Sequence, residues 1–214
     1  MKYLSKPFDE HTNRYESWFE KNQSVYRSEL KAIEMLLPDG KGLEVGVGSG
    51  RFSEPFSIGY GMDPSLEMLK IAKEKGLEVV RAVGEGLPFK DSSFDFVLIA
   101  TTICFFEDTE MAIKEAHRII RDGGNIVIGF VDKESRVGRT YQHKKKNNVF
   151  YKNAHFYSVS EVGSLLKETG FEDLSYSQTI FSDLESVEDL DEPRKGYGEG
   201  SFVVIKGSKL RVSN

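Results

Sequence analysis

The run Gly42-Leu43-Glu44-Val45-Gly46-Val47-Gly48-Ser49-Gly50, followed closely by Gly59-Tyr60-Gly61-Met62-Asp63, decides how this chain folds. Gly42–Val47 reads as a short strand running into glycines, and Gly59–Met62 as a second brief strand that ends at an acid. Glycines at that point let the chain turn sharply and let a ligand approach the backbone with no Cβ in the way. Pro64 suits a first helical turn, Leu66–Lys75 continues the helix, and Gly76 closes it as the residue after the cap.

Working outward, Leu77–Val83 is a third strand, and Phe94–Ala100 (FDFVLIA) is a fourth. The unbroken apolarity of the fourth predicts burial on both faces, as in a parallel sheet. Asp108 caps a helix whose core face is Ala112, Ala116, Ile119 and Ile120. Asp122-Gly123-Gly124 is expected to end that helix, and Asn125–Val131 to be a fifth strand. Ser158 and Glu161 have capping-box spacing at the head of a helix reaching Gly170. Strands near Glu172–Gln178 and Ser201–Lys206 bring the expected count to seven. The alternation predicts an α/β fold with a doubly wound, mostly parallel seven-stranded sheet. Upstream, Tyr26, Leu30, Ile33 and Leu37 form the stripe of an amphipathic helix stopped by Pro38-Asp39-Gly40. Residues 1–39 therefore read as an N-terminal helical cap on a main domain of residues 40–214, one compact domain overall.

Composition narrows the function. With 214 residues, 39% of them hydrophobic, the chain can bury a sizeable core. No run approaches the roughly 18 apolar residues that cross a bilayer, and Met1–Glu10 has no apolar leader segment. The single cysteine, Cys104, excludes an internal disulfide and a multi-cysteine zinc cage, so no metal is expected and a cytoplasmic location is. Cys104 lies in an apolar stretch and reads as a small buried hydrophobe. The net charge of −5 argues against a general nucleic-acid binder. Only His143–Lys146 (HKKK) is strongly basic, and it reads first as a solvated loop, with RNA contact the lesser reading. Monomer and homodimer both remain open.

The glycine loop fails two common nucleotide signatures. A G-x-G-x-x-G begun at Gly46 would need glycine at 51, and one begun at Gly48 would need it at 53; those positions are Arg51 and Ser53. No Gly-Lys-Ser/Thr follows at the spacing of a phosphate-cradling loop. Asp63, at the tip of the second strand, is placed beside the loop, where a carboxylate can accept hydrogen bonds from both hydroxyls of a ribose. Its other reading is a cap for the helix that begins near Pro64.

Four segments in order, LEVGVGSGRF, GMDPSLEML, LPFKDSSFDFVL and EAHRIIRDGGNIVI, give the chain a family likeness over roughly residues 42–130. It resembles the class I S-adenosylmethionine-dependent methyltransferases, in particular the small-molecule group related to the ubiquinone and menaquinone methylases. The resemblance implies S-adenosyl-L-methionine as cofactor, with S-adenosyl-L-homocysteine as its product. It implies that Glu44, Gly46, Gly48 and Gly50 wrap the methionine end and that Asp63 holds the ribose. Pro64 and Met68 would lie near the adenine, Gly84 and Glu85 at its edge, and Thr101 beside the methionine moiety. Arg14-Tyr15-Glu16-Ser17-Trp18 resembles an aromatic lid that closes over the cofactor, carried by Tyr15 and Trp18; simple helix packing is the alternative for both. Val83 departs from the family, which often has an acid at that place, and Glu85 or a backbone carbonyl is the substitute. Thr101-Thr102-Ile103-Cys104-Phe105-Phe106 replaces a polar segment seen in many relatives, which removes a general base from that edge. The stretch from Gly50 to Asp63, interrupted by Pro55, leaves room for a turn or two of helix.

Methyl transfer from a sulfonium releases a neutral leaving group, so alignment and exclusion of water supply much of the rate. If an acceptor needs deprotonation, His155 and Tyr157 are the candidates, against an ordinary loop role for each. The acidic segment Asp183–Glu192 reads first as a solvated acidic loop; folded toward the site, it would favour a cationic amine acceptor. The expected activity is methyl transfer to a small-molecule acceptor, an amine among the classes considered. The competing readings are a non-catalytic cofactor-binding or regulatory protein and, further off, an NAD-linked oxidoreductase; an RNA methylase rests on His143–Lys146 alone.

Overall fold

In the computed structural model, residues 5–184 and 189–211 are described. The chain opens with helices α1 (Lys6–Glu10), α2 (Thr12–Lys21) and α3 (Gln23–Glu34). Strand β1 (Gly42–Val45), strand β2 (Tyr60–Asp63), helix α4 (Leu66–Glu74), strand β3 (Glu78–Arg81) and strand β4 (Phe94–Ala100) follow. Then come α5 (Thr109–Ile119), β5 (Ile120–Val131), α6 (Arg136–Lys144), α7 (Val159–Glu168), β6 (Phe171–Thr179), β7 (Arg194–Lys195) and β8 (Phe202–Lys209). Short 3-10 turns occupy Ile103–Phe105 and Lys145–Asn147.

All the strands join one eight-stranded sheet in the order β3-β2-β1-β4-β5-β8-β6-β7. The first five in that order pair in parallel, whereas β8, β6 and β7 are antiparallel to their neighbours. Chain order reverses at β1, so β1 and β4 flank the switch point at which an open α/β sheet leaves a crevice beyond its strand ends. This is the doubly wound architecture that the alternation predicts.

The apolar run of β4 is explained by its two faces. Phe96, Leu98 and Ala100 pack with Phe19, Ile33 and Phe202 on the side covered by α3. Val97 and Ile99 pack with Ile113, Ile119, Val162 and Leu166 under α5 and α7. From Phe96 onward alternate side chains thus enter two different cores, while the half-buried Asp95 at the start of the strand accepts Lys41 N and pairs with Arg121.

Four local expectations change. The sheet has an eighth strand, because Lys195 and Arg194 pair with Ser177 and Gln178; two exposed cations offer no strand pattern to read. The glycine pair Gly123-Gly124 does not end α5, which stops at Ile119. Lys209 Nζ donates to the carbonyls of Ile120 (2.8 Å) and His117 (3.0 Å), satisfying acceptors at that helix end. The glycines instead form an irregular start to β5, where pairing jumps from Phe94–Ile120 to Phe96–Asn125. The stripe read as far as Leu37 ends earlier, with α3 closing at Glu34 and a turn carrying Leu36 and Leu37 back onto Ile33. Between Gly50 and Ile58 the chain makes turns only, anchored by Glu54 N to Gly50 O (3.0 Å). Among the described residues no helix is long and apolar enough to cross a membrane.

Gly61, in the middle of β2, supports the glycine loop from below. A Cβ there would lie 2.7 Å from the side chain of Val47. Gly61→Ala is expected to destabilise the fold by about 1–3 kcal/mol through overpacking, read as a lower urea midpoint with an unchanged slope.

Candidate functional site

Two cavities open beyond the carboxyl ends of the central strands, and they share a wall. The first, of 470 Å³, lies against Gly46, Gly48, Met62, Asp63, Pro64 and Met68 on one side and Gly84, Glu85, Thr101 and Phe106 on the other. The second, of 230 Å³, is lined mainly by aromatic rings. Phe8, Tyr15, Thr101 and Phe105 border both.

The first cavity is built from the tip of β2. Met62 O accepts the N–H groups of Gly46 (2.8 Å) and Val47 (2.9 Å), which folds the loop back onto the sheet. Gly48 N donates to Asp63 Oδ2 (2.9 Å), and Ser65 N donates to Asp63 Oδ1 (2.8 Å). Burial pushes the Asp63 carboxyl up to about 6, and these two donors pull against that rise. Gly48 has φ +51°, and a Cβ built there would meet no protein atom within 4 Å. A cradle left open by a missing side chain beside an acid fits a ribose-bearing ligand, so the residues present suit the cofactor that the family likeness implies.

Thr101 ends β4 in a left-handed conformation, φ +55°, unusual for a residue other than glycine. Its N–H donates to Gly129 O (2.8 Å), and the next residue, Thr102, donates its hydroxyl to Ala100 O (2.9 Å) and toward Gly46 O (3.2 Å). Such backbone strain costs about 1–3 kcal/mol and persists where the surroundings enforce it. Here it lies at the junction of the two cavities.

The N-terminal helices are fastened over this region by two acids. Asp9 Oδ1 accepts the hydroxyl of Ser65 (2.6 Å), the N-cap residue of α4. Glu16 accepts Ser49 Oγ (2.5 Å) and both Nε (2.9 Å) and Nη2 (2.5 Å) of Arg51. Tyr15 stands between those anchors, bordering both cavities. Burial, then the charges of Asp63, Glu16, Glu44 and Glu29, hold its phenol well above the ordinary range, so it stays protonated.

Of the residues named from sequence, Tyr15, Gly46, Gly48, Asp63, Pro64, Met68, Gly84, Glu85 and Thr101 line the first cavity. Glu44 does not: it is buried under the loop, accepts Ser53 Oγ (2.5 Å), and has its carboxyl pushed up to about 8 by that burial. Gly50 turns toward Leu77 and Ala72 instead. Trp18 lines the second cavity. Glu85 carries its own structural duty, accepting the N–H groups of Glu107 (2.8 Å) and Asp108 (3.2 Å), while Val83 presents an apolar wall. Tyr157 reaches the second cavity, with its hydroxyl 2.7 Å from Thr109 Oγ1. His155 packs edge-on against Tyr157 at 4.6 Å and lines neither cavity. Burial pushes the Cys104 thiol up to about 12, which suits the inert reading of that residue.

The acidic segment does not supply the expected field. Asp183 pairs with Arg136 (2.7 Å), Glu192 with Lys31 (2.8 Å), and Asp191 accepts Phe181 N (3.0 Å). Glu185 and Glu188 lie outside the described residues. A different acid faces the second cavity. Glu29, on α3, is 4% exposed and borders that cavity, and burial pushes its carboxyl up to about 8. The sequence signal was present but easily passed over, since Glu29 occupies the buried face that carries Val25, Ala32 and Ile33. Tyr141, Phe150 and Tyr151 complete the second cavity from a segment whose lysines dominate its sequence pattern.

Comparison with known proteins gives this geometry its family. A methyltransferase-domain profile matches residues 43–128, the span from β1 to β5. A Thermotoga maritima S-adenosylmethionine-dependent methyltransferase, described as a possible histamine N-methyltransferase, superposes with a TM-score of 0.95 at 46% identity, over 96% of this chain and 100% of that one. This chain belongs to the class I S-adenosylmethionine-dependent methyltransferases. It is an enzyme of that family, and its cofactor is S-adenosyl-L-methionine. A Methanocaldococcus jannaschii protein of uncharacterised function is 46% identical over 95% of this chain and 98% of its own length. A Streptomyces griseus demethylmenaquinone methyltransferase is 34% identical over 49% of this chain and 48% of its own.

The methyltransferase carries a pH signature in Glu29. Its folded-state carboxyl lies above its ordinary value, so its stabilising protonation is complete below about pH 4.5 and is lost as pH rises through about 8. Glu29→Gln removes the penalty of ionising a buried group. The variant is expected to melt above wild type at pH 9, with the gap closing toward pH 5, in parallel thermal scans.

Proposed function

We propose that this methyltransferase transfers the sulfonium methyl group by direct displacement to a small molecule seated in the aromatic cavity, while the glycine-loop cavity holds the cofactor. The observation that carries this reading is the shared wall: a donor chamber and an acceptor chamber meet across Tyr15 and Thr101. The cofactor, when bound, supplies an activated methyl whose sulfur departs as a neutral thioether, so the protein's task is placement and exclusion of water. In this reading Asp63 holds the ribose hydroxyls, and the main chain at Gly46 and Gly48 comes close to the methionine end. Pro64 and Met68, with Gly84 and Glu85, flank the adenine. Tyr15 closes the donor chamber, and Trp18 belongs to the acceptor chamber. Glu44 and Gly50 shape the loop from beneath. His155 is a packing residue behind Tyr157.

The acceptor chamber, at 230 Å³, falls below the ~300 Å³ at which drug-sized sites begin. Its occupant is therefore a small molecule, and an amine heads the candidate classes, in keeping with the description of the Thermotoga maritima relative.

Calorimetric titration with adenosylhomocysteine tests the cofactor assignment. Asp63→Ala is expected to weaken that binding about 10- to 100-fold, the range for hydrogen bonds to a charged group. Unchanged affinity would remove Asp63 from the site. Radiolabel transfer from S-adenosylmethionine into a mixed metabolite extract tests the activity, and binding with no transfer to any metabolite would count against a small-molecule acceptor.

A further inference from the structure

Among the described residues that line the acceptor chamber, Arg14 is the one base and Glu29 the one carboxylic acid. Arg14 is exposed, its guanidinium 5.9 Å from the centroid of Phe150. Glu29 is the opposite case, 4% exposed and inside the chamber wall. Among the described residues no hydrogen bond or ion pair is made to its carboxylate, and because no fully enclosed side-chain oxygen or nitrogen lacks a partner, its oxygens keep open surface on the cavity side. An acid kept in such a place costs stability unless something completes it.

The surroundings say what would complete it. Tyr15, Trp18, Tyr141, Phe150, Tyr151 and Phe156 wall the chamber, and aromatic faces attract cations. The phenols of Tyr15, Tyr141 and Tyr151 are all held above the ordinary tyrosine range, chiefly by burial, so they remain neutral. Among the described residues, Glu29 is thus the one carboxylate that this wall can present. We propose that Glu29 is the specificity-determining residue of the acceptor site and that it seats the basic nitrogen of a small amine. This rests on the assignment of the aromatic cavity to the acceptor.

The ammonium N–H donates to a Glu29 carboxylate oxygen, and the hydrocarbon part lies against the rings. Passing that proton from nitrogen to the carboxylate leaves a neutral amine with a free lone pair and a neutral Glu29 carboxyl. The burial that lifts the Glu29 carboxyl toward neutral pH makes it a competent proton acceptor for a bound ammonium. A neutral alcohol would fill one hydrogen bond and bring no countercharge. A carboxylate would be repelled once Glu29 ionises, above about pH 8.

Trp18 is the only tryptophan in the chain and borders this chamber, so its fluorescence reports occupancy with no turnover. The probes are 2-phenylethylamine, 2-phenylethanol and phenylacetate, titrated at about pH 9, where Glu29 is ionised, into the wild-type enzyme with and without saturating adenosylhomocysteine. The amine is expected to bind about 10- to 100-fold more tightly than the alcohol, and phenylacetate more weakly than either. Glu29→Gln should erase the preference for amine over alcohol while adenosylhomocysteine binding, measured by calorimetry, stays at the wild-type level. Equal binding of amine and alcohol by wild type overturns the proposal, as does tighter binding of phenylacetate or an amine preference that survives in Glu29→Gln. The wild-type comparison decides the matter even if the variant does not fold. Failure of adenosylhomocysteine to bind wild type would instead strike the cofactor reading, and the cofactor-free titration would still judge Glu29.

Discussion

The carbonyl of Met62 and the carboxylate of Asp63, neighbours at the tip of β2, hold the functional half of this molecule in place. The carbonyl takes two N–H groups from the loop after β1, and the carboxylate takes a third from Gly48. Because β1 and β2 pair in parallel register, Val45 opposite Met62, those acceptors meet the loop where it leaves the sheet. Once the loop is pinned, Ser49 and Arg51 are placed to receive Glu16, and Ser65 to receive Asp9. The N-terminal helices thereby acquire a fixed seat over the strand ends. The cavity, its cover and the neighbouring acceptor chamber all inherit their position from one strand tip.

That arrangement concentrates acid in a dry region. Glu29, Glu44 and Asp63 are each raised by burial, and burial first, with the charges of these acids after it, holds Tyr15 in its protonated form. Their neighbours differ. Glu44 is satisfied by Ser53, beneath the loop, and acts as a structural buttress. Asp63 is half-satisfied by two backbone donors and retains lone pairs toward the cavity. Glu29 has no donor among the described residues, and its free lone pairs face the other chamber. Increasing incompleteness from Glu44 to Glu29 separates a structural acid from the two to which the proposed function gives ligands.

The fold was legible from the sequence because its signals are local. Strand, glycine turn, acid and helix start lie within a few residues of one another, and the two-sided burial of β4 is written in its composition. The two-residue strand β7 was not, since its pairing depends on β6 and not on its own side chains. Much of the first cavity was legible for the same reason as the fold, because Gly46, Gly48 and Asp63 belong to the β1–β2 unit. The acceptor chamber was not. Its wall comes from α2, α3, the turn after β4 and the segment after α6, and their distance in sequence hides their meeting in space. The lesser reading of Asp183–Glu192, a field aimed at the site, loses support on the same ground, because charge composition gives no direction, and three of its described acids turn to partners elsewhere.

Thr101 and Glu29 show how the site departs from the demands of folding. Each is a local choice that a stability optimum would reverse, glycine at a left-handed turn and an apolar residue on a buried helix face. The rest of the structure absorbs both costs through the two cores that flank β4 and through the polar fastening of the N-terminal helices. Departures of this kind mark function when they converge, and these two do: Thr101 borders both cavities, and Glu29 borders the acceptor cavity beyond it. The strained turn sets where the chambers join. In the proposed reading, the unpaired acid sets what the second chamber accepts.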